Sequence, residues 1–276
     1  MRSVAALFWF SIRQTLWQWK IWPTLLLLAV PSGLAVLVRV FGSASDRMGR
    51  YHAPMHLVLL SLVMPLVCLL YGTALLGADI EGRTLVYLVT RRMRRATVVL
   101  VRFVAAALAL TLLLELAVLA VHACAFAGLS MQEARAAIAG HSASMSWAPT
   151  KELAVYVQVV PVGVVSFLAV FSLIGLLVPR PLGVAVVYLV FIEMILSAIP
   201  IPAQKYTVMH QLRATMFDAI PGFWEFSDIP RPLVEQLYPA GVTGTTNLVI
   251  VTLAALALTC VLATWRELVP GKITRG

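Results

Sequence analysis

Charge is scarce in this chain. Only 12 % of its 276 residues are Asp, Glu, Lys or Arg, about half the share of an ordinary soluble domain. Acids are the scarcer sign, with twelve against twenty-one Lys and Arg. Cysteine is limited to Cys68, Cys124 and Cys260, all in apolar runs. An odd set without zinc spacing excludes a disulfide framework and a metal site, so the three are expected as small core residues. No Gly-x-x-x-x-Gly-Lys-Ser/Thr loop occurs; Gly271-Lys272 is followed by Ile273 and lacks the upstream glycine. The chain therefore carries no phosphate cradle of its own. His-Glu-x-x-His, Gly-x-Ser-x-Gly and close Asp pairs are missing too, which removes the corresponding hydrolases. No catalytic, cofactor-binding or metal-binding residue is expected. Alternating ten-residue segments, the mark of an outer-membrane barrel, are absent. No polar stretch is long enough for an independent globular domain.

What is present is apolar: 61 % of residues, with a mean hydropathy of +0.93. Runs near the length needed to cross a bilayer recur. They predict an all-α polytopic membrane protein with six spans, at about 22–41, 54–78, 97–128, 152–178, 182–199 and 245–265, forming one transmembrane domain over 1–276. The third exceeds what a bilayer requires, so it tilts or extends beyond it. The fifth is short and ends at Pro200-Ile201-Pro202. Residues 3–20 read as an amphipathic interfacial helix. Ala5, Phe8, Trp9, Ile12, Leu16 and Trp19 share one face, with Arg13, Gln14, Gln18 and Lys20 opposite. Val4–Phe10 is too short and too aromatic for a cleavable signal.

Basic residues set the orientation. One side of the predicted topology receives thirteen of the Lys and Arg and three acids; the other receives eight and seven. The more basic side is expected to be cytoplasmic, with both termini inside and the chain in the cytoplasmic (inner) membrane. The net charge of +9 is thus a topology signal. The arginine cluster lacks the aromatic interleaving of a nucleic-acid surface, so no nucleic acid is expected as partner. On the outer side, 200–244 is the largest loop, with a helical segment at Gln204–Ile220 ended by Pro221-Gly222. Met131–Ala139 suggests a shorter helix in the loop before the fourth span.

The most informative segment is 79–95, between the second and third spans. It is too short for a domain and holds Arg83, Arg91, Arg92, Arg94 and Arg95. Leu85, Leu88 and Val89 fall on one helical stripe. Gly82 permits a tight backbone, and Thr84 is placed to cap the helix after it. Such an element is suited to transmit a push from a cytoplasmic partner.

Gly77-Ala78-Asp79-Ile80-Glu81-Gly82-Arg83-Thr84-Leu85-Val86-Tyr87-Leu88-Val89-Thr90-Arg91 resembles the signature after the second span of ATP-binding-cassette (ABC) exporter permeases of the ABC-2 class. There an acid precedes a Gly-Thr-Leu core and a Leu-x-Thr-Arg or Leu-x-Thr-Pro ending. Here Arg83 separates Gly82 from Thr84, and Arg92 stands where many members carry proline. A second stretch, Tyr188 to Pro200 followed by Tyr206-Thr207-Val208-Met209-His210-Gln211, is similar to the fifth span and outer helix of a subset with a glutamate late in that span. The resemblance covers most of the chain. It implies a permease subunit paired with a second copy or a paralogue in membrane lipid, and two ABC ATPase subunits per complex. ATP and Mg would be bound by the ATPase. The coupling role would fall on Glu81, Gly82, Thr84, Leu85, Tyr87, Leu88, Thr90 and Arg91. An apolar interior without a charged pore suits an amphipathic or lipid-like cargo.

Two acids lie within predicted spans, Glu115 and Glu193. A charge at bilayer depth costs at least about 2.5–3.5 kcal/mol on the insertion scale, so each needs a partner, a cavity or a proton. Glu115 and His122 are seven apart and share a helix face. Glu115, His122 and Glu193 either line a translocation path or fix packing by interhelical hydrogen bonds. Two alternatives to a permease stand beside it: an intramembrane enzyme, and a non-transporting membrane sensor or assembly protein.

Overall fold

A computed structural model describes residues 2–17, 19–41, 53–75, 95–126, 149–179, 181–199, 202–219 and 244–265. Every regular element among them is helical. In chain order they are α1 (Arg2–Trp17), α2 (Ile21–Phe41), α3 (π-helical over Ala53–Val63, then α-helical over Met64–Gly72), α4 (Arg95–Phe126) and α5 (Pro149–Leu177). Then come α6 (Pro181–Val187, continued by a π-helix Tyr188–Ile195 and a 3-10 turn Leu196–Ala198), a 3-10 turn Pro202–Tyr206, α7 (Val208–Ala219) and α8 (Gly244–Trp265).

Five helices are long and apolar enough to cross a membrane: Ile21–Phe41, Pro54–Gly72, Ala96–Phe126, Glu152–Leu177 and Thr245–Thr264. They fall on five of the six expected segments, four of them to within two residues at each end, while the second, expected over 54–78, gives Pro54–Gly72; together they make this a multi-pass membrane protein. The remaining segment, expected over 182–199, is a shorter apolar helix, Pro181–Ile195. At 32 residues α4 is about 48 Å long, well beyond a hydrocarbon core of about 30 Å.

The helices form one main core, with α5 at its centre, packed by α3, α4, α6, α7 and α8, and a small second cluster of Val99, Leu176 and Ala263. Within the spanning windows of α3 and α5, 67 % of residues are buried in the chain, against 22 % for α2 and 28 % for α8. The inner pair is therefore shaped by protein packing. The outer pair keeps rows of exposed Leu, Val and Ile, which lipid solvates as well as a protein core does.

Small residues let α3 and α5 touch. A Cβ on Gly175 would stand 2.8 Å from the carbonyl oxygen of Thr73, and one on Gly72 would stand 2.7 Å from Cβ of Phe171. The π-helical start of α3 ends just before Pro65. Proline has no amide hydrogen and its ring pushes away the carbonyl four residues earlier, and the wider turn accommodates both. Several buried hydroxyls are satisfied locally by the preceding turn: Thr73 to Leu69 (2.7 Å), Ser172 to Ala169 (2.9 Å), Thr259 to Ala255 (2.8 Å). Among the described residues two hydroxyl pairs cross between helices: Ser166 on α5 with Thr252 on α8 at 2.7 Å, and Thr24 on α2, which donates to the Tyr71 hydroxyl on α3 at 3.5 Å.

The N-terminal helix α1 packs on α4. Its buried positions are Leu7 and Ser11. The expected apolar face is not the seam: Trp9 (71 % exposed) and Trp19 (87 %) point outward, together with Phe10 and Trp17. The aromatic side is left for the surroundings, and a narrower stripe holds the helix to the bundle.

Candidate functional site

The main constellation of buried polar groups is built where α6 meets α7. Glu193 lies in the π-helical part of α6 and is fully buried. Its Oε1 accepts the Tyr188 hydroxyl at 2.7 Å and the Val208 amide at 3.2 Å; its Oε2 accepts the Met209 amide at 2.8 Å. The carboxyl thus caps a helix from fifteen and sixteen residues away in sequence.

The first turn of an α-helix leaves its leading amides without internal acceptors. In α7 all four are satisfied. The Thr207 amide donates to the Gln204 carbonyl at 3.0 Å, Val208 and Met209 donate to Glu193, and His210 donates to Thr207 Oγ1 at 3.3 Å; the Gln211 amide then opens the helix's own ladder on the Thr207 carbonyl at 3.3 Å. Thr207 is an ordinary N-cap, and Glu193 completes what Thr207 cannot reach. Around this cap the Ser197 hydroxyl donates to the Glu193 carbonyl, and the Gln211 side-chain amide donates to the Lys205 carbonyl. Thr207 Oγ1 also donates to the Gln204 carbonyl at 2.8 Å. Both chain ends of the link between α6 and α7 are therefore tied to the helix they serve.

The π-helical winding explains the Tyr188–Glu193 contact. Residues five apart lie about 140° from each other around an α-helix. A π-helix, with i to i+5 bonding, brings them to the same side. The Tyr188 ring also meets Phe171 of α5 edge to face, with centroids 6.1 Å apart.

His210 follows on α7, outside the spanning helices, and is buried. Burial, then the charges of Arg213 and Lys205, push its pKa down to about 4, so the imidazole is neutral at physiological pH.

The other expected residues lie elsewhere. Glu115 and His122 are on α4, which packs against α1, α2, α5 and α8. The His122 ring lies against Phe126 at 4.8 Å between centroids. Glu115 is half-buried, and its Oε1 accepts no hydrogen bond from the described residues. The hydrogen bonds of the Glu193 carboxyl go to Tyr188, Val208 and Met209, and involve neither Glu115 nor His122. Glu81, Gly82, Thr84, Leu85, Tyr87, Leu88, Thr90 and Arg91 lie outside the described residues, as does Met131–Ala139.

Tyr188 and Thr207 are site residues that the sequence pattern does not single out. Thr207 falls inside the segment Gln204–Ile220 expected to be helical, and the structure divides that stretch into a 3-10 turn, Pro202–Tyr206, and α7, with Thr207 between them. Glu152, at the start of the fourth span, is fully buried as well, although its place in the sequence suggests only a loop-side acid.

No protein-family model matches the chain, and no curated protein does either. The functional reading therefore rests on the residues themselves.

Proposed function

We propose that the chain is the membrane-spanning permease subunit of an ABC exporter of the ABC-2 class. It would move an amphipathic or lipid-like molecule outward, with ATP hydrolysed on separate ATPase subunits. Six spans with both termini in the cytoplasm complete the topology, the short apolar α6 serving as the fifth span and α1 lying at the membrane interface.

The observation that carries this reading is the cationic segment 79–95 between two spanning helices, with its acid, Gly82, Thr84-Leu85 and Leu88-Val89-Thr90-Arg91 in order. The Glu193 cap supports it, because a glutamate late in a short span followed by proline and an outer helix is the second part of the resemblance. The chemistry agrees: the chain offers a hydrophobic stripe to a cytoplasmic partner and has no phosphate loop. An exposed Arg–carboxylate pair contributes only about 0–1 kcal/mol, so Leu85 and Leu88 are assigned most of the docking energy and the arginines its orientation. Coupling requires that this docking favour one conformation of the bundle over another. Glu115, whose Oε1 takes no partner among the described residues, fits the translocation path better than a packing role.

The test is co-purification. The tagged chain, solubilised gently from its native membrane, is expected to bring down an ATP-hydrolysing subunit. Its isolation without any such subunit favours the sensor or assembly alternative.

A further inference from the structure

A run of direct contacts leads from the end of α3 to the start of α7. Gly72, at the end of the α-helical part of α3, has no Cβ, and Phe171 of α5 occupies that space; a Cβ there would be 2.7 Å from Cβ of Phe171. Phe171 meets the Tyr188 ring at 6.1 Å and 87°. The Tyr188 hydroxyl donates to Glu193, and Glu193 holds the first two amides of α7. Four helices are joined by three side chains and one glycine. Each contact has a defined geometry: a close approach, an edge-to-face ring pair, and hydrogen bonds that leave no slack.

We infer that Tyr188 is the positioning residue that links the end of α3 to the seating of α7. It has two functional ends. Its ring reports the position of Phe171, and through Phe171 the spacing of α3 and α5. Its hydroxyl sets the carboxyl that caps α7. A shift at the α3–α5 seam moves the ring, turns the hydroxyl and changes how firmly α7 is held. Segment 79–95 follows α3 in the sequence, so a displacement of α3 by a partner docked on that segment is carried by the same contacts to α7; this consequence alone rests on the permease reading.

The test uses the full chain with Cys68, Cys124 and Cys260 replaced by Ala. A reporter, Leu212→Cys, is placed at a fully buried position of α7, and a control, Leu114→Cys, at a fully buried position of α4. The reaction rate with a membrane-permeant maleimide is measured in lipid nanodiscs. Tyr188→Phe keeps the ring and removes the donor; Phe171→Leu keeps an apolar side chain and removes the ring contact. Each is expected to speed labelling at 212 by about tenfold, and the double variant by no more than the larger single effect, as for two residues in one coupled network. Labelling at 114 stays unchanged. Gly72→Ala, which presses on Phe171 from the other side, speeds labelling at 212 only while Tyr188 is present. Independent, multiplying effects, an equal rise at 114, or no rise at 212 each overturn the link. No ATPase is needed, so loss of the permease reading leaves this result standing, and loss of the link leaves co-purification untouched.

Discussion

The Met209 amide donates to Glu193 Oε2 at 2.8 Å, joining the start of α7 to the π-helical part of α6. The Val208 amide takes Oε1 of the same carboxyl at 3.2 Å. An amide N–H only donates, so each oxygen must present a lone pair to one of them. That requirement makes the position intolerant of chemically mild changes.

Glu193→Gln supplies one acceptor oxygen and turns an NH2 group toward the other amide. Leaving a buried donor unsatisfied costs about 1–3 kcal/mol. Glu193→Gln is expected to destabilise the fold by that amount and Glu193→Ala by more, read by thermal unfolding in detergent. Glu193→Gln as stable as the wild type would contradict the cap.

The α3–α5 seam gives a steric prediction. A Cβ on Gly175 would lie 2.8 Å from a backbone oxygen, which cannot swing aside as a flexible side chain would. Gly175→Ala should destabilise by about 1–3 kcal/mol, the usual cost of overpacking. Gly183, where a Cβ would meet nothing within 4 Å, is the internal control and should accept Ala without loss.

His210 predicts a pH dependence. Its pKa is about 4 in the folded chain against an ordinary 6.5. Between those values the unfolded chain binds a proton that the folded chain refuses, so stability rises with pH across that window. It is complete above pH 6.5 and is lost as pH falls toward 4. Comparing melting temperatures at pH 7 and pH 5 should show a larger drop for the wild type than for His210→Gln. Equal drops would remove His210 as the cause.

Much of the fold is legible in the sequence because bilayer length is a strong constraint: runs of apolar residues long enough to cross it mark five helices, four of them to within two residues at each end. The Glu193–α7 clasp is only half legible. Glu193 stands out as an acid in an apolar run, but Thr207 is hidden inside the segment Gln204–Ile220 expected to be helical, which the structure breaks at Thr207. Tyr188 does not stand out, because a periodicity of 3.6 puts it on another side of the helix from Glu193 and only the π-helical winding brings them together. The seam of α1 against the bundle, Leu7 and Ser11, is not marked by the amphipathic pattern. In a membrane the most hydrophobic face is not the one that must be buried in protein, so Trp9 and Phe10 face outward while Leu7 and Ser11 pack.

The topology has its own check. A single cysteine at Met93 is expected to react with an impermeant thiol reagent only from the cytoplasmic side. Reaction from outside inverts the arrangement and removes segment 79–95 as a docking element.

The most direct measurement of the central claim is ATP hydrolysis and cargo export by the reconstituted complex carrying Leu85→Asp or Leu88→Asp. A carboxylate in the apolar stripe is expected to leave the ATPase able to hydrolyse ATP but to abolish its stimulation by the permease and the export that depends on it. Normal stimulation and export by either variant would contradict the assignment of this segment as the coupling element.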